Sequence, residues 1–210
     1  MPNPKQGTPE WYIERAGHAT GSCFADVMGV KLDGTPKKSR ADYRMQLVVE
    51  RLTGQPTPGP SSPALQWGTD CEPFARTQYE IETGHFVEQV GFIRHIEHEW
   101  IGSSADGLID LDGAIEIKCP YRSSVHLNTW LHGMPKEHLP QVQGLMWVLD
   151  REWVDFCSFD PRMQGNAAHL ILYIQRILRD DDYIKILQEE IHALLNEVKS
   201  ECNALLAFKN

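Results

Sequence analysis

The sequence predicts an α/β fold, a central mixed β-sheet flanked by helices. Three observations predict it. Between residues 86 and 119 the apolar residues fall into short runs broken by Gly102, Gly107 and Gly113, as strands do. On either side, apolar residues recur at helical spacing, most clearly from Asp180 to Phe208. The order is helices, a strand cluster, then helices interleaved with further strands, which sets helices against a mixed sheet.

The first elements are helical. Thr8 is a natural N-cap with Pro9 in the first turn, and this helix should end near Gly17. A second short helix is expected from Ser22 to Gly29. A third runs from an N-cap at Ser39 to Gly54, with Met45, Leu47, Val48 and Leu52 as its apolar face. Residues 55–63 hold four prolines and a glycine and read as loop. Residues 64–83 then read as a helix stopped by Gly84, with Pro73 kinking it or shifting its start. Strands are expected at 86–95, 99–103, 106–111 and 113–119, helices at 123–132 and 136–150, and strands at 153–159 and 168–176. The last helix spans 180–208, its start favoured by Asp180, Asp181 and Asp182.

The chain has 210 residues, 41% apolar and 23% charged, which suits one domain with a packed core over 1–210. Within it we distinguish an N-terminal helical region (1–54), the proline-rich loop (55–63), a core (64–176) and the C-terminal helix (180–208). No apolar run approaches a membrane span, and the N-terminus lacks the apolar stretch of a signal peptide. The five cysteines are odd in number and form no C-x-x-C. A reduced, cytoplasmic protein without membrane association is expected. The net charge of −9 argues against a surface coated in basic charge, though not against a local basic track, and suits a carboxylate-rich site for divalent cations.

The segment "SSADGLIDLDGAIEIKCPY" (103–121) concentrates the chemistry. In a strand, Glu116 and Lys118 share one face while Ile115, Ile117 and Cys119 take the other. A turn near Asp112-Gly113 folds the preceding strand back and brings Asp106 beside Glu116. Two carboxylates so close repel unless a cation lies between them or one is protonated. Oxygen ligands suit Mg²⁺ or Mn²⁺, which activate water and stabilise charge on a phosphate, and a neighbouring lysine adds to that stabilisation. This set fits phosphodiester hydrolysis. The same D-x9-E-x-K spacing also fits a solvent-facing Glu–Lys pair on an edge strand.

The wider sequence resembles the PD-(D/E)xK nucleases, and within them the lambda exonuclease (YqaJ-like) branch of viral and prophage recombination nucleases. The resemblance rests on five stretches in order: "RAGHATGS" (15–22), "ALQWGTDCEPFAR" (64–76), the Asp106–Lys118 segment, "PQVQGLMWV" (140–148) and "FDPRM" (159–163). It implies a restriction-endonuclease-like core. It further implies that Asp106, Glu116 and the backbone carbonyl of Ile117 hold Mg²⁺ (Mn²⁺ as an alternative), two ions per site, with Lys118, Glu72 and Gln141 catalytic. Arg15, Thr20, Ser22 and Ser104 match a 5′-phosphate pocket, and Leu65 a wedge that parts the strands. Ser22 has a local reading too, as a helix N-cap.

The chain departs from the family pattern in places. Ala105 stands where proline is usual, Gly21 where alanine is usual, and Leu145 where a tyrosine would end the QxxxY pattern. A basic residue expected after the lysine strand falls on Ser124, with Arg122 as a substitute. His85, His95, His98, His126, His132 and His138 have no ligand spacing and stay unassigned.

The resemblance implies a 5′→3′ exonuclease on linear duplex DNA, acting as a homotrimeric ring and leaving a 3′ single strand for an annealing protein. Lys31, Lys37, Lys38, Arg40 and Arg44 are candidates to face the DNA channel. A site-specific or structure-specific endonuclease on the same core, or a non-catalytic DNA-binding scaffold, are the alternatives.

Overall fold

A computed structural model describes residues 4–30 and 35–208. Helix α1 spans Pro9–Arg15, and the Thr8 side chain accepts a hydrogen bond from the Trp11 amide, as its N-cap position requires. Strand β1 (Ala19–Thr20), which the sequence did not announce, leads into a 3₁₀ turn at Gly21–Cys23 and helix α2 (Phe24–Val27). Helix α3 spans Lys38–Thr53 and α4 spans Pro63–Thr83, each closed by a left-handed glycine, Gly54 and Gly84. Ser62 caps α4 by accepting from the Leu65 amide.

Short strands follow: β2 (Ile93–Arg94), β3 (Ile101–Ser103), β4 (Gly107–Ile109) and β5 (Gly113–Lys118). Helices α5 (Ser123–His132) and α6 (Leu139–Leu149) precede β6 (Trp153–Phe159) and β7 (Leu172–Leu178). Helix α7 (Asp181–Ala207) closes the chain, with the Asp180 side chain accepting from the Tyr183 amide.

The expected mixed sheet is present, but the strands divide between two sheets. One has the order β1-β3-β2; the other has the order β4-β5-β6-β7, with β5 and β6 parallel and the outer pairs antiparallel. The strand expected over 86–95 reduces to an isolated bridge, Glu88 with Leu108, and the two residues of β2. The strand expected at 168–176 begins later, because Gly165–Leu170 forms a 3₁₀ turn first.

Three apolar clusters hold these parts together. Alternation along β5 and β6 sends Ile115, Ile117, Trp153 and Cys157 toward Cys71, Ala75 and Tyr79 of α4. Ala114, Val154 and Phe156 point the other way, toward Val142, Leu145 and Met146 of α6. The four-stranded sheet thus has a helix on each face. The third cluster joins α2, α3 and α7 to α6 through Phe24, Leu47, Val48, Trp147, Leu187 and Leu194. Helices α6 and α2 meet at Gly144, where a Cβ would collide with the Phe24 ring.

Helix α3 differs from its sequence reading in two respects. It starts two residues earlier, with Lys37 rather than Ser39 at the N-cap position and no side-chain cap. Its buried face is Tyr43, Leu47 and Val48, whereas Met45 and Leu52 are 47% and 37% exposed. The reason is helical spacing: Arg40, Tyr43, Leu47 and Glu50 recur three and four residues apart along one buried stripe, and Met45, two residues from both Tyr43 and Leu47, falls on the opposite side.

The basic residues of α3 are largely engaged within the chain. Arg40 makes two hydrogen bonds to Glu197 (2.8 and 3.1 Å). Arg44 pairs with Glu197 (2.8 Å) and Glu201 (3.1 Å). Lys38 pairs with Asp42 at 2.8 Å on the surface. Of the proposed channel residues, Arg40 is therefore a buried clamp between α3 and α7, Lys37 stays exposed, and Lys31 lies outside the described residues.

Candidate active site

Asp106 sits just before β4, and Glu116 and Lys118 sit on β5. The β4–β5 hairpin pairs Gly107 with Ile115 and Ile109 with Gly113, which brings Asp106 next to Glu116 as the turn predicts. The Asp106 carboxylate accepts a hydrogen bond from the Ile117 amide at 2.6 Å. Lys118 Nζ donates to Glu116 Oε1 at 2.6 Å. Glu116 is buried, so this is no solvent-facing pair on an edge strand; β5 is an interior strand.

Two helices complete the group. Gln141, in the first turn of α6, donates from Nε2 to Glu116 Oε1 (2.6 Å) and accepts from Lys118 at its Oε1 (3.1 Å). Glu72 on α4 faces the same cleft and pairs with Arg76 at 2.5 Å, one helical turn on. Pro73 lies inside α4 without ending it, so Glu72 keeps the place its motif gave it.

The electrostatics is that of crowded acids. Burial, then the charges of Glu116 and Glu72, push the Asp106 carboxyl well above its usual range. Burial also raises Glu72, against the opposing pull of Arg76. Burial alone would lower Lys118, but Glu116 and Asp106 reverse this and hold the ammonium charged. Glu116 Oε2 is buried and has no hydrogen-bond partner. Among the described residues no three His, Cys, Asp or Glu side chains are arranged to hold a metal ion by themselves. The acids are hard oxygen donors, and an orphaned buried carboxylate oxygen beside a second carboxylate suits a divalent cation. Asp106 and Glu116 thus fit the metal that the sequence implies, with the rest of the ligand shell left to the main chain, water or substrate.

The same cleft, about 370 Å³, extends to the other predicted residues. Arg15, at the end of α1, reaches Ser22 (3.1 Å) and Thr20 (3.4 Å), and those two hydroxyls are 3.4 Å apart. The Arg15 guanidinium lies over the Trp11 ring, 4.0 Å from its centroid, and Trp11 Nε1 donates to Ser104 at 3.0 Å. All four residues of the proposed phosphate pocket therefore line one wall, joined through Trp11. Gly21 belongs to this wall; a Cβ there would lie 2.5 Å from Ser103 Oγ, so an alanine at this position would require the Ser103 hydroxyl to rotate away. Ser22 is not a side-chain N-cap here. Leu65 lines the cleft from the first turn of α4, with its side chain exposed.

Sequence reasoning missed three residues of the site. Trp11 and Gln6 carry no spacing signal. Gln6 Nε2 donates to the carbonyls of Ala105 (2.6 Å) and Val90 (3.0 Å), tying the N-terminal segment to the residue just before Asp106. Arg76 was readable, being four residues after Glu72 on the same helix. Arg122 and Ser124 are both exposed at the start of α5, and neither makes a contact with the carboxylate group.

Residues 10–152 match the YqaJ-like viral recombinase domain. The chain is similar to LHK-Exo, an alkaline exonuclease from Laribacter hongkongensis: 39% identity over 95% of this chain and 97% of that one, with a TM-score of 0.86. LHK-Exo in complex with dAMP gives 40% identity over 94% and 96% of the two chains, with a TM-score of 0.85. A phage-related exonuclease from Haemophilus somnus 129PT shares the fold, at 15% identity over 90% and 96% of the two chains and a TM-score of 0.71. Comparison with curated proteins found no match.

Proposed function

The chain belongs to the YqaJ-like viral recombinase domain family, and we propose that it is a Mg²⁺-dependent exonuclease that digests one strand of linear duplex DNA from its 5′ end. The observation that carries this reading is the union of two features in one cleft. The Asp106–Glu116–Lys118 set and the Arg15–Thr20–Ser22–Ser104 wall face the same space. Similarity to an alkaline exonuclease over nearly the whole chain supports it.

Asp106 and Glu116 would hold the metal, with the Ile117 carbonyl a further donor. When bound, such ions lower the pKa of water and stabilise charge on a phosphate. Glu116 and Asp106 raise Lys118 above its ordinary range against the effect of burial, and its ammonium offers positive charge toward the phosphate oxygens. Gln141 fixes Glu116 and Lys118 in their relative orientation. Arg15, with the hydroxyls of Thr20, Ser22 and Ser104, binds the terminal 5′-phosphate by charge-assisted hydrogen bonds. Leu65, exposed at the rim, enters between the strands. The water oxygen bonds to phosphorus, the P–O3′ bond breaks and the 3′-oxygen takes a proton. A 5′-mononucleotide leaves, and the shortened strand carries a new 5′-phosphate.

We also infer a homotrimeric ring that supplies a 3′ single strand to an annealing protein. Phe74 and Ile81, exposed two turns apart on α4, offer apolar surface for self-association. No helix among the described residues is long and apolar enough to cross a membrane.

The test compares a 5′-labelled linear duplex with a covalently closed circle, with and without Mg²⁺. Release of labelled mononucleotide from the linear DNA alone, and only with the ion, is expected. Cutting of the circle would instead establish an endonuclease, and no cleavage of either a binding scaffold.

A further inference from the structure

A second, larger cavity of about 980 Å³ lies beside the cleft. The two are neighbours with common walls: Gln6, Trp11, Thr69, Glu72 and Asp106 line both. Helix α4 passes from one to the other, since Gly68 belongs to the cleft while Pro73 and Arg76 belong to the second cavity. Helix α1 does likewise, with Arg15 on the cleft and Tyr12 on the second cavity.

The chemistry of the two cavities differs. The cleft has crowded carboxylates, and its cations, Lys118 and Arg15, are engaged with partners there. The second cavity shares Glu72, Asp106 and Trp11 with the cleft and adds Lys5, the aromatic ring of Tyr12 and Arg76, which is paired with Glu72. Arg76 has a buried Nε without a hydrogen-bond partner. Its volume lies at the upper end of the range of small-molecule sites.

We propose that the second cavity is the exit site for the cleaved nucleotide, taking a nucleoside 5′-monophosphate. This rests on the exonuclease reading above. After each cut the product's 5′-phosphate occupies the Arg15 wall, the place that the new 5′-end must take next. DNA fills the mouth of the cleft while the strand remains engaged, so the product needs another way out. The wall shared through Trp11 supplies it. The phosphate moves away from Glu116 into a space bordered by Lys5 and Arg76, with Glu72 and Asp106 left on the shared wall, and the base moves onto the aromatic surface of Trp11 and Tyr12.

Two variants outside the cleft test this: Gln89→Trp, which adds bulk from an exposed position on the cavity wall, and Lys5→Glu, which reverses a charge. Release of the first nucleotide is measured in a single turnover. It is compared with the steady rate over many nucleotides on the same long duplex. The expected result is an unchanged first cut in both variants, with a steady rate about tenfold lower in Lys5→Glu, the size of one charged contact, and also lowered in Gln89→Trp, whose ring narrows the cavity. Added dAMP should inhibit wild-type steady digestion, and Lys5→Glu should weaken that inhibition by a similar factor. If Gln89→Trp fails to fold, Lys5→Glu decides alone. Wild-type steady rates in the folded variants would overturn the proposal. So would an equal slowing of first and later cuts, which would assign the cavity to the chemistry. Failure of the exonuclease reading is distinct: the wild type would then release no first nucleotide.

Discussion

Gln141 Nε2 lies 2.6 Å from Glu116 Oε1, across 25 residues of sequence, and this bond ties helix α6 to the acid strand. The same amide accepts from Lys118, so one side chain fixes the spacing of acid and amine. Gln141→Ala should slow cleavage roughly 10- to 100-fold, corresponding to about 1.5–3 kcal/mol for a hydrogen bond to a charged group. Single-turnover rates at saturating Mg²⁺ measure it; a rate within twofold of wild type, roughly 0.4 kcal/mol, would remove Gln141 from the site.

Asp106→Ala and Glu116→Ala should each abolish cleavage while DNA binding survives in part, since phosphate contacts lie elsewhere. Lys118→Ala should cripple hydrolysis and leave Mg²⁺ binding intact by calorimetry. Loss of Mg²⁺ affinity with the reaction preserved would reverse the roles given to Lys118 and the acids.

The crowded acids predict a stability effect with a defined sign. The carboxyl of Asp106 is raised above its ordinary value of 3.8, first by burial. Its neutral form therefore favours the folded state, a contribution full below the ordinary value and lost as pH rises through the raised one. In EDTA at neutral pH, Asp106→Asn should raise the melting temperature, and Mg²⁺ should stabilise wild type more than the variant. Melting curves with and without Mg²⁺ decide this, and a variant that melts lower than wild type in EDTA would contradict it.

The Arg15 wall predicts a preference among DNA ends. A duplex with a 5′-phosphate should be digested much faster than one with a 5′-hydroxyl. Arg15→Ala should erase most of the difference, about 1.5–3 kcal/mol for one charged contact. Initial rates on both ends measure it: equal rates in wild type would rule out the pocket, and a preference that persists in the variant would exclude Arg15 from it.

Assembly is testable by light scattering. With Arg40 and Arg44 committed to Glu197 and Glu201, and a net charge of −9, helix α3 offers little free positive charge to hold DNA. Retention by an encircling ring requires a mass well above 23.9 kDa. A monomer at micromolar concentration with full processive digestion would refute the ring.

The sequence by itself determined what depends on neighbours along the chain. The Thr8–Pro9 helix start and the glycine stops at 54 and 84 are local, because capping satisfies amides and carbonyls within one turn. The approach of Asp106 to Glu116 was legible for the same reason: one hairpin turn and the two-residue alternation of β5 leave little freedom. Glu72 and Gln141 were found through motif order, since no local rule brings helices 25 and more residues away to that strand.

Tertiary structure decided the rest. It showed which arginines on α3 are neutralised, because Arg40 meets Glu197 only once α3 lies on α7. It turned α3 so that Tyr43 is buried and Met45 is not. It closed Gln6 over Ala105, 99 residues away, and so set the second cavity against the first. Contacts at such separations follow from how buried faces pack, and helical spacing restricts a face to a stripe without saying what will cover it.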